Sequence, residues 1–190
     1  MKTIDLRFDD HMISILKSMV SSKMLKYKCD PFVYSPAVYG IAGVCTESGS
    51  YAFTNQIEVL DHYGADEDVA VFRIEERPEE QIVSLVQDVK IVDIPVNRII
   101  REIKVINEHQ MLYDRSEQIY DVWLTRGVIF IMSDDLEIAF EKSVWFSEMI
   151  TVTRGENLLE QFTPTTGFAE EWEDPYRGEC ERNVISIQKG

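Results

Sequence analysis

The chain is short of the residues from which metal centres, redox sites and disulfide frameworks are built. Its 190 residues include three cysteines and three histidines. Cys29, Cys45 and Cys180 are odd in number, far apart and free of any CxxC pair, which excludes a disulfide framework and a local redox motif and leaves buried or idle reduced thiols. His11, His62 and His109 form no HxH, HxxH or HExxH spacing, so no zinc motif is written in the chain, and no metal or cofactor is expected. There is no GxSxG elbow, and Gly40-Ile41-Ala42-Gly43 lacks the third glycine, the lysine and the following helix of a phosphate loop. No apolar run approaches the length of a membrane span. Asp5, Asp9 and Asp10 interrupt the N-terminus where a secretory leader needs apolar residues, so a cytoplasmic protein is expected.

Positive charge is also scarce. Nineteen Lys and Arg face thirty-four Asp and Glu, for a net charge of −15, which disfavours direct binding to nucleic acid or to an anionic membrane. The balance is uneven along the chain. Residues 1–30 hold six Lys/Arg against four Asp, so the other 160 residues carry −17. The acids gather at Asp66, Glu67, Asp68, Glu75, Glu76, Glu79 and Glu80, and again at Glu170, Glu171, Glu173, Asp174, Glu179 and Glu181. An acidic surface keeps a protein soluble, and it is also where a basic protein partner would dock.

What the chain has in quantity is alternation. Tyr120, Val122, Leu124, Val128, Phe130 and Met132 fall on one face of a period-two pleat, interrupted by Arg126. Asp134-Asp135 then makes a turn, after which Leu136, Ile138 and Phe140 alternate with Glu137, Ala139 and Glu141. Residues 38–76 read as a β-meander and residues 89–153 as a second β-region. Between them, Pro78 and its following acids start a short helix, and a second short helix is expected at 156–162, in a helical or irregular segment spanning 155–190. Apolar residues from Met12 to Tyr27 recur every three or four positions, which predicts an amphipathic helix over about 10–28, started by Asp9 or Asp10 and stopped by Asp30-Pro31. Tyr51-Ala52-Phe53-Thr54-Asn55 resembles Ile138-Ala139-Phe140-Glu141-Lys142, each preceded by a Gly-Val pair and a turn. Two related β-subdomains would give that likeness, but chance between two hairpins explains it better.

The predicted architecture is one α+β domain over residues 1–190: an N-terminal amphipathic helix packed on a mainly antiparallel, twisted sheet able to curl into a partial barrel, with two or three short helices. The predicted function is non-catalytic contact with a protein partner. The candidate surfaces are the two acidic clusters, the basic residues Lys17, Lys23 and Lys26, and Trp145, whose neighbour Phe146 would point the other way on a strand. In its specific form, the protein inhibits a basic nucleic-acid-handling enzyme by presenting carboxylates as a phosphate backbone does. Two alternatives stand beside it. Asp93 with Glu102-Ile103-Lys104 resembles the D…ExK core of a restriction-type nuclease, in which the acids would hold Mg²⁺ and the lysine would stabilise developing charge. The basic helix could also dock on an acidic face of a second copy, making a homo-oligomer.

Overall fold

The computed structural model describes residues 1–32 and 35–189. Eleven strands, β1 (Lys2–Leu6), β2 (Lys23–Cys29), β3 (Ala37–Tyr39), β4 (Ile41–Thr46), β5 (Ser50–His62), β6 (Ala65–Glu76), β7 (Val92–Asp114), β8 (Glu117–Met132), β9 (Glu137–Lys142), β10 (Met149–Gly155) and β11 (Tyr176–Gln188), dominate it. They follow the order β3-β10-β9-β8-β7-β2-β4-β5-β6, with β1 parallel to β8 and β11 antiparallel to β7. The α+β expectation is therefore overturned. The described residues contain two α-helices, α1 (Asp10–Met19) and α2 (Thr166–Glu170), and the expected short helices at 79–87 and 156–162 shrink to 3-10 turns at Glu79–Gln81 and Leu158–Gln161. The sheet does not close into a barrel, because β3 and β6, the two ends of the strand order, do not pair with one another.

The long amphipathic helix fails for a definable reason. Helix α1 begins as expected, with Asp9 accepting a 2.8 Å hydrogen bond from the Met12 N–H, but it ends at Met19, and Val20 is extended. Residues 23–29 form β2, whose buried positions are Met24, Tyr27 and Cys29. A bulge between Met24 and Lys26 inserts one residue, so the inward positions are spaced three and then two apart, and the strand imitates helical periodicity. The basic helix is thus not a single element. Lys17 lies on α1, whereas Lys23, Lys26 and Lys28 lie on a central strand.

Strand β7 unites what the sequence divides. Its first half pairs with β2 and its second half with β8 and β11, so one 23-residue strand hydrogen-bonds in both layers of the molecule. The chain changes layer again at Gly40, whose φ of +68° suits glycine: β3 before it pairs with β10, and β4 after it pairs with β2 and β5. Between the layers lies an aromatic core. Phe53 stacks on Phe140 at 4.9 Å and on Phe72 at 5.5 Å, and meets Phe130 edge-on at 6.1 Å.

The two similar segments of the sequence thus face one another, their phenylalanines in contact. Their pairing differs, however: Gly43 is opposite Ala52, whereas Gly127 is opposite Glu141 rather than Ala139. Each layer is covered outside by a short irregular segment, Ile82 over Ile41 and Ala52, and Leu158 and Phe162 over Ile106, Ile129, Ile131 and Ala139. Helix α1 contacts two of the outer strands, β6 and β11. No helix of the described residues is long and apolar enough to cross a membrane.

Candidate functional site

The most perturbed groups of the molecule gather where β7, β8 and β11 run side by side. At Arg126 the pairing of β8 with β7 slips by one residue, Gly127 facing Ile106 and Thr125 facing Asn107. The interruption that Arg126 makes in the apolar row is therefore a bulge, and bulges re-aim side chains. Arg126 turns to Glu108, donating from Nε to Oε1 at 3.0 Å, and its Nη1 donates to the carbonyls of Lys142 and Ser143 at 3.3 and 3.2 Å. Arg182 of β11 reaches the same Oε1 at 2.8 Å and the Thr163 carbonyl at 2.6 Å, while Gln110 stands 3.4 Å from Oε2. The Glu108 side chain is 1% exposed. Burial alone would raise its carboxyl pKa, but the Arg126 and Arg182 guanidiniums outweigh burial and hold it below the ordinary glutamate range.

Tyr63 and Lys142 border this node. The β5–β6 hairpin turns through Tyr63 and Gly64, both at positive φ as a type I′ turn demands. The turn lowers Tyr63 between Tyr120, Phe168 and Trp172, at ring distances of 5.0 to 5.7 Å, where its hydroxyl donates to Gln110 Oε1 at 3.0 Å. Burial pushes this phenol far above its usual range. Lys142 lies buried under Trp145, with its ammonium nitrogen 5.6 Å from the ring centre and 3.1 Å from the Ser143 carbonyl. Burial first, and then Arg126, lower its pKa to about 7.

Such a lysine would be nucleophilic if a substrate could reach it. The cavity beside it measures about 10 Å³, enclosed by Leu6, Ala70, Phe72, Leu124, Thr125 and Trp145, room for no more than about one water. The geometry makes it a buried structural amine. A pH signature follows. The unfolded chain protonates this lysine below 10.5 and the folded chain only below about 7, so the unfolded state binds more protons between those values. Stability at this position therefore rises from pH 7 to 10.5, and urea melts across that window should show a rise that disappears in Lys142→Met.

The remaining candidates separate. Asp93, Glu102 and Lys104 all lie on β7, where Asp93 pairs with Lys28 of β2 and Glu102 with Gln188 of β11. The nine residue steps of strand from Asp93 to Glu102 make a path of roughly 30 Å, so the two carboxylates cannot share a metal ion. Asp93 is bound to Lys26 at 2.5 Å, and Glu102 accepts from the Ser186 hydroxyl at 2.7 Å. No group of three or more His, Cys, Asp and Glu among the described residues is placed to hold a metal ion. Glu108 and His109 diverge as strand neighbours should, His109 stacking on Trp123 at 4.1 Å. Burial raises all three thiols, Cys29 and Cys180 to about 12.

Of the acids, Asp66, Glu67 and Asp68 are exposed on β6 beside the Tyr63 turn. Because Tyr63 packs on α2, they share one end of the molecule with Glu170, Glu171, Glu173 and Asp174. Glu75, Glu76 and Glu80 are exposed near the far end of β6, and Val69–Phe72 between the groups is buried. Glu79 is held at 2.6 Å by Lys26 and at 3.2 Å by Lys28, so Lys26 and Glu79 neutralise one another.

No family model, curated protein or solved structure matches the chain.

One surface was only half legible in the sequence. Trp145 and Phe146 alternate as a strand pair would. It is Phe146 that faces out, 55% exposed, with Val144 54% exposed, while Trp145 is drawn inward over Lys142 and against His62. The Trp145 carbonyl accepts from the Ala70 N–H at 2.7 Å, fixing this loop to β6, and Phe146 lies 4.7 Å from the His62 ring. Ala70 and Asp68 pair with Ile57 and Val59, themselves 39% and 69% exposed. Asp66 and Asp68 share the Ile57–Val59 face of this hairpin, Glu67 lies on its other face with His62, and the Trp145–Ala70 hydrogen bond holds the loop of Val144 and Phe146 at the β6 edge of the same hairpin.

Proposed function

We propose that this protein acts by binding a basic protein through an acidic-rimmed apolar patch at the tip of the β5–β6 hairpin. The observation that carries this reading is the exposure of Phe146, Val144, Ile57 and Val59 on and beside the hairpin that carries Asp66, Glu67 and Asp68, with the α2 acids at the same end. An apolar centre inside a charged rim is the anatomy of a protein interface, and carboxylates favour a Lys- and Arg-rich counterpart. The net charge of −15 steers such a partner from a distance at low ionic strength.

Imitation of a phosphate backbone needs an uninterrupted stripe of carboxylates, and the buried Val69–Phe72 segment interrupts it. The reading carried forward is therefore a basic protein surface, with nucleic-acid-handling enzymes as one class among several. The immobilised protein, presented with cell extract at low salt and eluted by a salt gradient, should release a basic protein at moderate salt. Phe146→Asp and the pair Asp66→Lys with Asp68→Lys should each reduce its capture by about ten-fold, equivalent to ~1.4 kcal/mol. Equal capture by both variants would remove the patch from the interaction.

A further inference from the structure

Another outer strand, β11, presents a different surface. It pairs with β7 along its whole length, and on its other side it pairs with no strand among the described residues. Residues 183–186 are all exposed, with Val184 at 39% and Ile185 at 41%. Natural edges of this length are usually charged, bulged or covered, because their free N–H and C=O groups are a template for another strand. Here α1 stands beside the edge without covering it, leaving two open grooves of about 570 and 660 Å³ that share Ile13 and Ile185. The groove next to Val105 and Asn107 carries Asp9 and Asp10 beside the mutually paired Asp5 and Arg7, and the groove next to Ile187 carries Lys17 and Lys189. The trough along β11 is thus acidic at one end, basic at the other and apolar in the middle.

We propose that β11 pairs antiparallel with β11 of a second copy about a two-fold axis through Ile185. A two-fold brings the basic end of each trough to the acidic end of the other, which is the complementarity the charges show. Placing Ile185 opposite its own copy sets Glu181 directly across from Lys189, twice, and Asn183 across from Ile187. A shift of two residues one way sets Lys189 across from Asn183 and loses both charge pairs, and a shift the other way exchanges Glu181 for Glu179 across from Lys189 but sets Ile185 across from Asn183 and loses the apolar contact on the axis. Opposite charges directly across an antiparallel pair stabilise it, and like charges weaken it. Arg182 takes no part, being held by Glu108. The −15 charge of each chain opposes association, so the dimer is weak and its affinity lies in the micromolar range.

Sedimentation equilibrium at physiological salt, up to about 200 µM, tests this. The wild-type chain should fit a monomer–dimer equilibrium. Ile185→Glu puts two carboxylates on the axis and should weaken it by about ten-fold or more, and Glu181→Lys by a similar factor. The exchange of both, Glu181→Lys with Lys189→Glu, should restore it to within about three-fold of wild type. These side chains are exposed, so near-ultraviolet circular dichroism should show the same fold in every variant. A wild-type chain that stays monomeric at the highest concentration overturns the proposal, leaving the trough to an extended peptide of another protein. So does a dimer indifferent to Ile185→Glu, or an exchange that fails to restore it. Phe146→Asp, which disables the patch at the hairpin tip, should leave this equilibrium unchanged.

Discussion

Glu108→Ala should lower the stability of the fold by about 3–5 kcal/mol, measured by urea denaturation at neutral pH. The loss comes from what the alanine leaves behind. Arg126 and Arg182 are largely buried and converge on one carboxylate oxygen, so its removal strands two guanidiniums in a poorly solvated place. Arg126 keeps the Lys142 and Ser143 carbonyls and Arg182 keeps that of Thr163, but no anion remains to balance them.

Two controls identify the mechanism. Glu108→Gln keeps the shape and loses the charge, and should be nearly as destabilising. The pair Glu108→Leu with Arg126→Met should cost less than Glu108→Ala alone, because it strands one guanidinium, Arg182, where Glu108→Ala strands two. The acid limb gives a further check. The folded-state pKa of Glu108 lies below its unfolded value, so its contribution is complete above the ordinary glutamate range and is lost as pH falls through the folded pKa. Glu108→Gln should flatten that part of the stability curve.

The second large effect is expected at Phe53→Ala, again about 3–5 kcal/mol, from loss of a fully buried ring and the cavity left among three others. The site cannot collapse easily, since Phe72 belongs to one layer and Phe130 and Phe140 to the other, and each is fixed by its own strand pairing. Phe53→Leu fills much of the space and should cost about half as much. Thermal melting of both variants against wild type measures the difference; a loss under about 1 kcal/mol for Phe53→Ala would mean that the layers repack freely.

Strong alternation was easy to read. The hairpins β4–β5, β5–β6 and β8–β9, the Asp134-Asp135 turn and the cap at Asp9 all follow from period two, turn chemistry and side-chain hydrogen bonding, and each lies where those rules place it. The failures have physical causes. A bulge gave β2 the spacing of a helix, and a second bulge at Arg126 looked like a break in a row when it was the device that aims a charge at Glu108. The second β-region opens on one long strand, Val92–Asp114, in which Pro95 and the left-handed Asn97 interrupt the alternation without ending the element. The parallel partner β1 carries two charged residues in five and offers no alternation from which its pairing could be foreseen.

The acidic clusters were legible as composition, but not as places. Which acids share an end of the molecule depends on Tyr63 docking against α2, a contact between residues more than a hundred positions apart. The Glu108 node is equally hidden: its members lie 18 and 74 residues apart, and only the interruption at Arg126 hinted at it.

The central claim is that a basic protein is bound at the hairpin tip, and site-specific photo-crosslinking addresses it most directly. A photoreactive amino acid at position 146 should crosslink to a basic protein at low salt and cease to do so at high salt, whereas the same amino acid at position 80, near the far end of β6, should not. Crosslinking from position 80 with none from position 146 would contradict the account.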